Sequence, residues 1–173
     1  MINLQSLIRD VPDFPKKGIV FKDITPLLGS PQGLALAVEL MVNPYRGRGI
    51  ELVIGAESRG FIFGTAIAQA LSAGFVPIRK PGKLPSAKVS LTYDLEYGQD
   101  TLEIHKDAIR RGANCLVVDD LLATGGTMRA CCDLVENLGG KIVGVAVLIE
   151  LAFLHGRNRF SGYDLQSVLK YES

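Results

Sequence analysis

Apolar residues in the second half of the chain follow two alternating patterns, one typical of buried strands and one typical of amphipathic helices. Short apolar runs predict strands at residues 52–55, 75–78, 116–118, 142–149 and 165–169. Between them, segments that begin after Gly60 and near Thr127 carry apolar residues every three or four positions, as on the buried face of a helix. Strands that alternate with helices are typical of an α/β fold with a mainly parallel sheet.

One uncharged stretch has a composition close to that of a membrane span. Residues 60–78 carry no charge, but polar residues and a proline interrupt them, and Phe63, Ile67 and Leu71 are spaced to share one helical face. A span needs about 20 consecutive, predominantly apolar residues. A buried amphipathic helix followed by the strand at residues 75–78 therefore explains this stretch better.

The first fifty residues are rich in proline and glycine and have a weaker pattern. We expect a short helix over residues 3–9 and an ordered loop over residues 10–28, where prolines interrupt regular structure. A further helix is predicted from Pro31, with Ser30 as its N-cap. The buried stripe of this helix is predicted at Leu34, Val38 and Met41.

Residues 80–101 are polar and contain two prolines and two glycines. Two weakly β-prone stretches, at residues 88–93 and 101–104, are able to pair across this segment. A segment of this length inside a compact domain is usually a functional lid or disordered.

Length and charge narrow the class of protein. A chain of 173 residues predicts one domain. The formal net charge of +1 argues against a nucleic-acid-binding module and gives no support to polybasic attachment to a membrane. Three cysteines exclude a closed disulfide framework, so we expect reduced, buried thiols. Residues 1–10 lack the apolar core of a signal peptide, so we expect a cytoplasmic protein.

The strongest chemical signal is VVDDLLATGGT, residues 117–127. Two carboxylates end a buried strand, and ligands of open α/β sheets bind at such carboxyl ends. The two glycines let the backbone approach an anion at a helix N-terminus, where unpaired N–H groups and the helix dipole stabilise negative charge. The residues concerned are Asp119, Asp120, Thr124, Gly125, Gly126 and Thr127. A phosphate beside two carboxylates indicates a phosphorylated sugar. The two acids would bind the sugar hydroxyls, or would hold a metal ion through water.

The alternative interpretation is a tight βα turn in which the two acids only cap the helix. Adjacent acids combined with T-G-G-T after an apolar strand favour the ligand-binding interpretation. The segment is not a P-loop, because no G-K-[ST] follows, and it is not a dinucleotide-binding fingerprint, because the acids precede the glycines.

The motif resembles the phosphoribosyl diphosphate (PRPP) signature of type I phosphoribosyltransferases, and further blocks are similar to the members that use adenine. These blocks, which extend over nearly the whole chain, are residues 14–26, 57–63, 78–85, 95–98, 102–107, 149–151, 156–157 and 169–171. The resemblance implies the type I phosphoribosyltransferase fold, a twisted and mainly parallel sheet flanked by helices. It also implies a single domain over residues 1–173, with a small hood at 1–45 and a flexible, hairpin-like lid at 80–104. Lys22 stands where some members have Arg, and Glu57 where some have Asp.

The resemblance also implies the roles of individual residues. The 5′-phosphate would be bound by Ala123, Thr124, Gly125, Gly126 and Thr127, and the ribose hydroxyls by Asp119 and Asp120. Pyrophosphate would be bound by Ser58, Arg59, Arg79, Lys80 and Lys83. The base would be read by the backbone of Val20 and Lys22 and stacked on Phe21, while the lid would carry Glu96, the catalytic group, and Tyr97.

The activity implied is transfer of the 5-phosphoribosyl group from PRPP to adenine, which gives AMP and pyrophosphate in purine salvage. The resemblance implies Mg²⁺ carried mainly by PRPP, and a homodimer in which some of Arg79, Lys80 and Lys83 reach the site of the second subunit. One alternative is a phosphoribosyltransferase for a 6-oxopurine or for orotate. Another is a PRPP-sensing regulator that binds nucleic acid, which would show a basic face or an added DNA-binding segment; the net charge of +1 argues against it.

Overall fold

The structure is a computed structural model that describes residues 2–95 and 98–173. Its residue contacts group the chain into two compact units, Met1–Leu40 and Met41–Ser173. The expectation of a single domain over residues 1–173 stays a prediction.

The first unit contains more regular structure than its sequence predicts. A 3₁₀ helix occupies Leu4–Leu7, so the helix predicted over residues 3–9 is shorter than expected. The predicted loop over residues 10–28 is wrong: strands β1 (Arg9–Pro12) and β2 (Val20–Asp23) pair antiparallel, and helix α1 occupies Thr25–Leu28. Four-residue strands are too short to show a periodicity, and their pairing is a contact between segments, so neither is visible in the local pattern.

Helix α2 (Pro31–Val42) begins where the sequence predicts. The Ser30 hydroxyl accepts a hydrogen bond from the Gly33 amide at 3.1 Å, which confirms Ser30 as the cap. The buried stripe of α2 differs from the prediction, because Leu34 and Val38 are only half-buried. The buried members are Gly33, Ala37, Met41 and Val42.

The second unit is built on a five-stranded parallel sheet in the order β4-β3-β7-β8-β9. Its strands are β3 (Leu52–Ala56), β4 (Gly74–Ile78), β7 (Asn114–Leu122), β8 (Lys141–Leu151) and β9 (Leu165–Tyr171). The predicted strands are confirmed, but β7 is longer than residues 116–118. It continues through both predicted carboxylates, because its pairing with β8 extends to Leu122 opposite Glu150.

Helices α3 (Gly60–Ala70) and α4 (Gly126–Asn137) follow β3 and β7, as predicted. Residues 60–78 therefore form a helix and a strand, and no helix among the described residues is long and apolar enough to cross a membrane. Between β4 and β7, β5 (Lys88–Asp94) and β6 (Gln99–His105) form an antiparallel hairpin, which confirms the pairing expected for residues 88–93 and 101–104.

All three cysteines lie in the buried core of the second unit and are free. Burial raises the pKa of Cys115 to about 11 and that of Cys132 to about 12, and it also raises the pKa of Cys131. These thiols stay protonated at neutral pH, which agrees with the expectation that they pack in the core.

Candidate active site

A cavity of about 480 Å³ lies at the carboxyl ends of β3 and β7. The chain leaves β3 toward β4 and leaves β7 toward β8, so the two crossovers run in opposite directions. A crevice opens where neighbouring strands diverge in this way, and ligands of α/β proteins bind there. The cavity is lined by residues 57–59, Lys80, Leu95, Leu102 and residues 119–128.

The loop after β7 presents backbone donors to this cavity. Gly125 is the N-cap of α4 and has a φ of 84°, a left-handed conformation that favours glycine. The first N–H groups of a helix have no partner within it, and the helix dipole adds positive potential at that end. All five predicted phosphate-binding residues, 123–127, line the cavity, and their geometry suits a phosphate.

A C-terminal segment packs behind this loop. A Cβ atom added to Gly156 would fall far inside the contact distance of the Ala123 carbonyl oxygen and 3.1 Å from the Gly125 nitrogen, so the approach requires glycine. Arg159 Nε donates to the Thr124 carbonyl oxygen at 2.9 Å. The position of the loop is therefore fixed from outside the motif.

The segment behind the loop is held by an ion pair. Glu150 is buried, and its two oxygens accept from Arg157 Nε at 2.8 Å and Arg157 Nη2 at 2.6 Å. Arg157 also donates to the Leu165 carbonyl oxygen at 2.9 Å. Sequence reasoning missed this support. The signal available was an acid at the end of the apolar strand β8, followed by an arginine beside a glycine.

The two predicted carboxylates lie side by side at the end of β7. The Asp120 amide donates to Asp119 Oδ1 at 2.8 Å, and Asp120 Oδ2 lies 2.7 Å from Arg59 Nε without hydrogen-bond alignment. Burial, together with the charge of Asp120, raises the pKa of Asp119. Burial also raises the pKa of Asp120, and the Arg59 charge opposes this shift. Two adjacent acids, of which Asp120 is buried and Asp119 half-buried, lie beside one cation. This arrangement suits a ligand that brings hydroxyl donors or further positive charge.

The loop after β3 supplies the other wall of the cavity. Ser58 is exposed there, Arg59 is the N-cap of α3, and the Glu57–Ser58 peptide bond is cis. Ser58 and Arg59 therefore face the same cavity as Asp119 and Asp120, which brings the predicted pyrophosphate and ribose residues together.

The predicted basic run at residues 79–83 is already paired within the chain. Glu57 accepts from the Lys80 amide at 2.6 Å and from Lys83 Nζ at 2.6 Å, and Arg79 Nε lies 3.4 Å from the same carboxylate. Burial raises the pKa of Glu57, but these donors outweigh it and leave the pKa below its usual value. Of the three cations, Lys80 lines the cavity, and its ammonium pairs with Asp100.

The β5–β6 hairpin contacts the phosphate loop, residues 123–127. Tyr93, on β5, places its hydroxyl 3.0 Å from the Thr127 hydroxyl, and the Tyr93 ring packs against Gly126. The predicted catalytic Glu96 and the predicted lid residue Tyr97 lie outside the described residues.

The predicted base-reading residues lie on β2 of the first unit. Lys22 is buried, and its Nζ donates to Asp10 Oδ1 at 2.7 Å, a role for its side chain that the sequence does not predict. Phe21 is half-buried and meets the Phe14 ring edge-to-face, with 5.2 Å between ring centroids. Val20 is exposed.

Comparison with known proteins adds an independent observation. Residues 27–168 match the Phosphoribosyl transferase domain family. The chain is 58% identical to the adenine phosphoribosyltransferase of Acidobacterium capsulatum, over 97% of this chain and 93% of that protein. Its fold is similar to a crystal structure of adenine phosphoribosyltransferase from Thermoanaerobacter pseudethanolicus, with a TM-score of 0.94, 50% identity and 97% and 98% of the two chains covered. A structure of the Saccharomyces cerevisiae enzyme, complexed with adenine and an imino-altritol bisphosphate, is 38% identical, with a TM-score of 0.90 and 96% of each chain covered.

Proposed function

Because this chain belongs to the phosphoribosyl transferase family, and within it to the adenine phosphoribosyltransferases, we propose that it transfers the 5-phosphoribosyl group of PRPP to adenine. The products are AMP and pyrophosphate, and the reaction returns a free purine base to the nucleotide pool. The expected type I phosphoribosyltransferase fold is confirmed. The observation that carries the proposal is that one cavity brings two adjacent carboxylates, Asp119 and Asp120, to a glycine loop at a helix N-terminus.

In the reaction, the bond from the ribose C1′ to the pyrophosphate oxygen breaks while adenine N9 forms a bond to C1′ and loses its proton. Positive charge develops on the ribose as pyrophosphate leaves. Residues 123–127 hold the 5′-phosphate through backbone N–H groups and hydroxyls, and Asp119 and Asp120 accept from the ribose hydroxyls. Fixing the sugar in this way lets positioning and electrostatic stabilisation lower the barrier.

The departing pyrophosphate is bound by Ser58 and Arg59 from one loop and by the cations of the basic run. Arg79, Lys80 and Lys83 already pair with carboxylates of this chain, so each exchanges one anion for another when pyrophosphate arrives. Such an exchange contributes less binding free energy than an unpaired cation would, since the existing pair must first be separated.

The base is read by the backbone of Val20 and Lys22 and stacked on Phe21. Adenine offers a donor at its 6-amino group and an acceptor at N1, whereas hypoxanthine reverses both. A site built for adenine leaves buried polar groups unpaired against hypoxanthine and so rejects it strongly. Glu96 assists proton movement on the purine, and Tyr97 belongs to the lid that excludes water from the reaction.

Mg²⁺ enters this proposal bound mainly to PRPP. Among the described residues no group of three or more His, Cys, Asp or Glu side chains is arranged to hold a metal ion. Asp119 and Asp120 fit a metal that brings its own phosphate oxygens and waters, as Mg²⁺ does. When bound, the ion neutralises charge on the diphosphate leaving group, and the two acids of this chain orient the sugar beside it.

A homodimer and a cytoplasmic location are also part of the proposal. Three buried, free thiols agree with a reducing compartment. For the dimer, the support is the family membership and exposed apolar side chains such as Phe14, Ile62 and Phe153. Sedimentation velocity at micromolar concentration checks the dimer, and a monomer with full activity would contradict it.

The deciding experiment measures PRPP-dependent nucleotide formation with adenine, hypoxanthine, guanine and orotate, alone and in competition. We expect AMP formation with adenine and rejection of the other bases by several orders of magnitude. Equal use of hypoxanthine would overturn the assignment of the base. PRPP binding without nucleotide formation from any base would instead favour the regulator.

A further inference from the structure

A chain of four polar side chains runs from Thr127 to Lys80 through the hairpin. The Tyr93 hydroxyl lies 3.0 Å from the Thr127 hydroxyl and 3.3 Å from Asp100 Oδ2, and the same Asp100 oxygen pairs with Lys80 Nζ. The two ends of this series, Thr127 and Lys80, line the cavity, whereas Tyr93 and Asp100 do not.

We propose that Tyr93 and Asp100 are positioning residues that couple the 5′-phosphate and pyrophosphate subsites, so that each anion weakens the binding of the other. The inference rests on the proposed function for the identity of the two anions. It goes beyond that function because neither residue is expected to touch a ligand.

The coupling follows from the number of protons available. Tyr93 has one hydroxyl proton and two acceptors within reach, the Asp100 carboxylate and the Thr127 oxygen. If Tyr93 donates to Asp100, then the Thr127 hydroxyl must donate its own proton to the Tyr93 oxygen. If Tyr93 donates to Thr127, the Thr127 proton is released toward the cavity. The two arrangements exclude each other.

The ionisation states of the two middle groups support this description. Burial and the Asp100 charge raise the pKa of Tyr93, although Thr127 opposes them, so the tyrosine keeps its proton at neutral pH. Burial raises the pKa of Asp100, but Lys80 and the Thr101 amide outweigh it and leave the pKa lowered, so this carboxyl only accepts.

The sign of the coupling can be followed from one end of the chain to the other. A phosphate that accepts the Thr127 proton turns the Tyr93 proton toward Thr127, and Asp100 Oδ2 then loses one of its two donors. The less compensated carboxylate holds Lys80 more strongly, so Lys80 is harder to recruit to pyrophosphate. After transfer, the nucleotide keeps its phosphate while pyrophosphate must leave, and the coupling favours that departure.

The test is isothermal titration of pyrophosphate into the full chain, with and without saturating ribose 5-phosphate, at one fixed Mg²⁺ concentration. In the wild type we expect ribose 5-phosphate to raise the Kd of pyrophosphate. The hydrogen-bonded series from Thr127 to Lys80 should contribute about a fivefold increase in this Kd, at the low end of typical coupling free energies. Direct repulsion between the anions adds to the same ratio, so the variants below isolate the contribution of the chain.

Tyr93→Phe keeps the ring and removes the hydroxyl, and we expect it to lose that contribution while each anion still binds alone. Asp100→Asn is the second variant: it removes the charge that holds Lys80, so the Kd of pyrophosphate alone falls and the ratio drops as in Tyr93→Phe. The double variant should have the same ratio as either single variant, because all three break one chain.

Thr92→Val is the matched control. It removes the hydroxyl contact between Thr92 and Thr101, 2.9 Å apart on the exposed face of the same hairpin, and should leave the wild-type ratio unchanged.

An equal ratio in wild type and Tyr93→Phe would overturn the inference and leave the proposed function standing. The inference is also overturned if the variants raise both Kd values together at a constant ratio, since that is the signature of a merely structural role. If neither anion binds the wild type, both the inference and the proposed function are wrong.

Discussion

The phosphate loop (residues 123–127) and Lys80 of the basic run (residues 79–83) line one cavity, but the two regions are held in different ways. The loop uses backbone N–H groups fixed by Gly125 and by the segment around Gly156. The basic run uses flexible side chains that Glu57 and Asp100 already pair. The first region is preorganised, while the second must exchange one partner for another.

The difference predicts two kinds of response to substitution. A preorganised backbone site fails as a unit when its geometry moves, because no other conformation offers the same donors. A set of paired cations responds in small steps, since each ion pair contributes little and a neighbour compensates for its loss. The variants below test whether the two regions differ in this way.

The largest effect is expected from replacing both carboxylates, Asp119→Asn together with Asp120→Asn. We expect catalysis to be abolished, with a loss on the order of 10³-fold or more, because the proposed function places both charges at the reacting sugar. The fold should survive, since burying a carboxylate such as Asp120 opposes folding and an amide avoids the cost of burying a charge. Steady-state kinetics and circular dichroism check the two statements; wild-type turnover in the folded variant would contradict the assigned role.

Gly156→Ala tests whether the segment around Gly156 fixes the position of the phosphate loop. The added methyl group displaces Ala123 and Gly125, and we expect kcat/KM for PRPP to fall by about a hundredfold, as for a misplacement near 1 Å. Gly162→Ala is the control, because its φ of 88° makes alanine strained but nothing lies within 4 Å of the new methyl group. It should lower stability and leave kcat/KM near wild type. Equal losses in both variants would mean that the loop does not depend on Gly156.

Glu57→Gln tests the paired region. Lys83 and Arg79 lose their negative partner, so we expect pyrophosphate to bind about threefold more tightly, on the scale of a partly exposed ion pair. Glu51→Gln is a matched control, since Glu51 likewise accepts from a backbone amide and one cation, Asn114 and Arg110, away from the cavity. Weaker binding in Glu57→Gln would show that Glu57 orients the cations for pyrophosphate rather than competing for them.

The smallest effect is a difference in how stability depends on pH. The pKa values of Asp119 and Asp120 are raised by burial, so their contribution to stability is present at low pH and is lost as pH rises through the folded-state pKa values. The pKa of Glu57 is lowered, so its contribution is present above the unfolded pKa and is lost as pH falls through the folded value.

Urea denaturation from about pH 2.5 to pH 7 spans both the lowered pKa of Glu57 and the raised pKa values of the two aspartates, and it gives opposite trends for the two variants relative to wild type. As pH rises, the stability of the double Asn variant increases relative to wild type, and the stability of Glu57→Gln decreases. Parallel trends would contradict the distinction between the two regions.

The parallel sheet and the phosphate loop could be predicted because their signals are local. Apolar runs, a glycine pair and two adjacent acids mark β7 and α4 directly in the sequence. The supports of the site could not be predicted, because they join distant segments. Gly156 packs on Ala123, and Tyr93 reaches Thr127, 34 residues away along the chain.

The basic run shows a further limit of local patterns. Its charges are visible in the sequence, but their pairing with Glu57 and Asp100 depends on where β3 and β4 end and where β6 begins. The β1–β2 hairpin could not be predicted either, because strands of four residues are too short to show a periodicity in the sequence.

The burial of all three cysteines has a practical consequence for following the hairpin in solution. Thiol-reactive dyes attack the thiolate, and Cys115, Cys131 and Cys132 are both covered and shifted toward the neutral thiol. A cysteine introduced at the exposed Gln99 would then be the reactive thiol of the native protein, without removal of the others. A fluorophore attached there would show whether the β5–β6 hairpin moves during turnover in an otherwise unaltered chain.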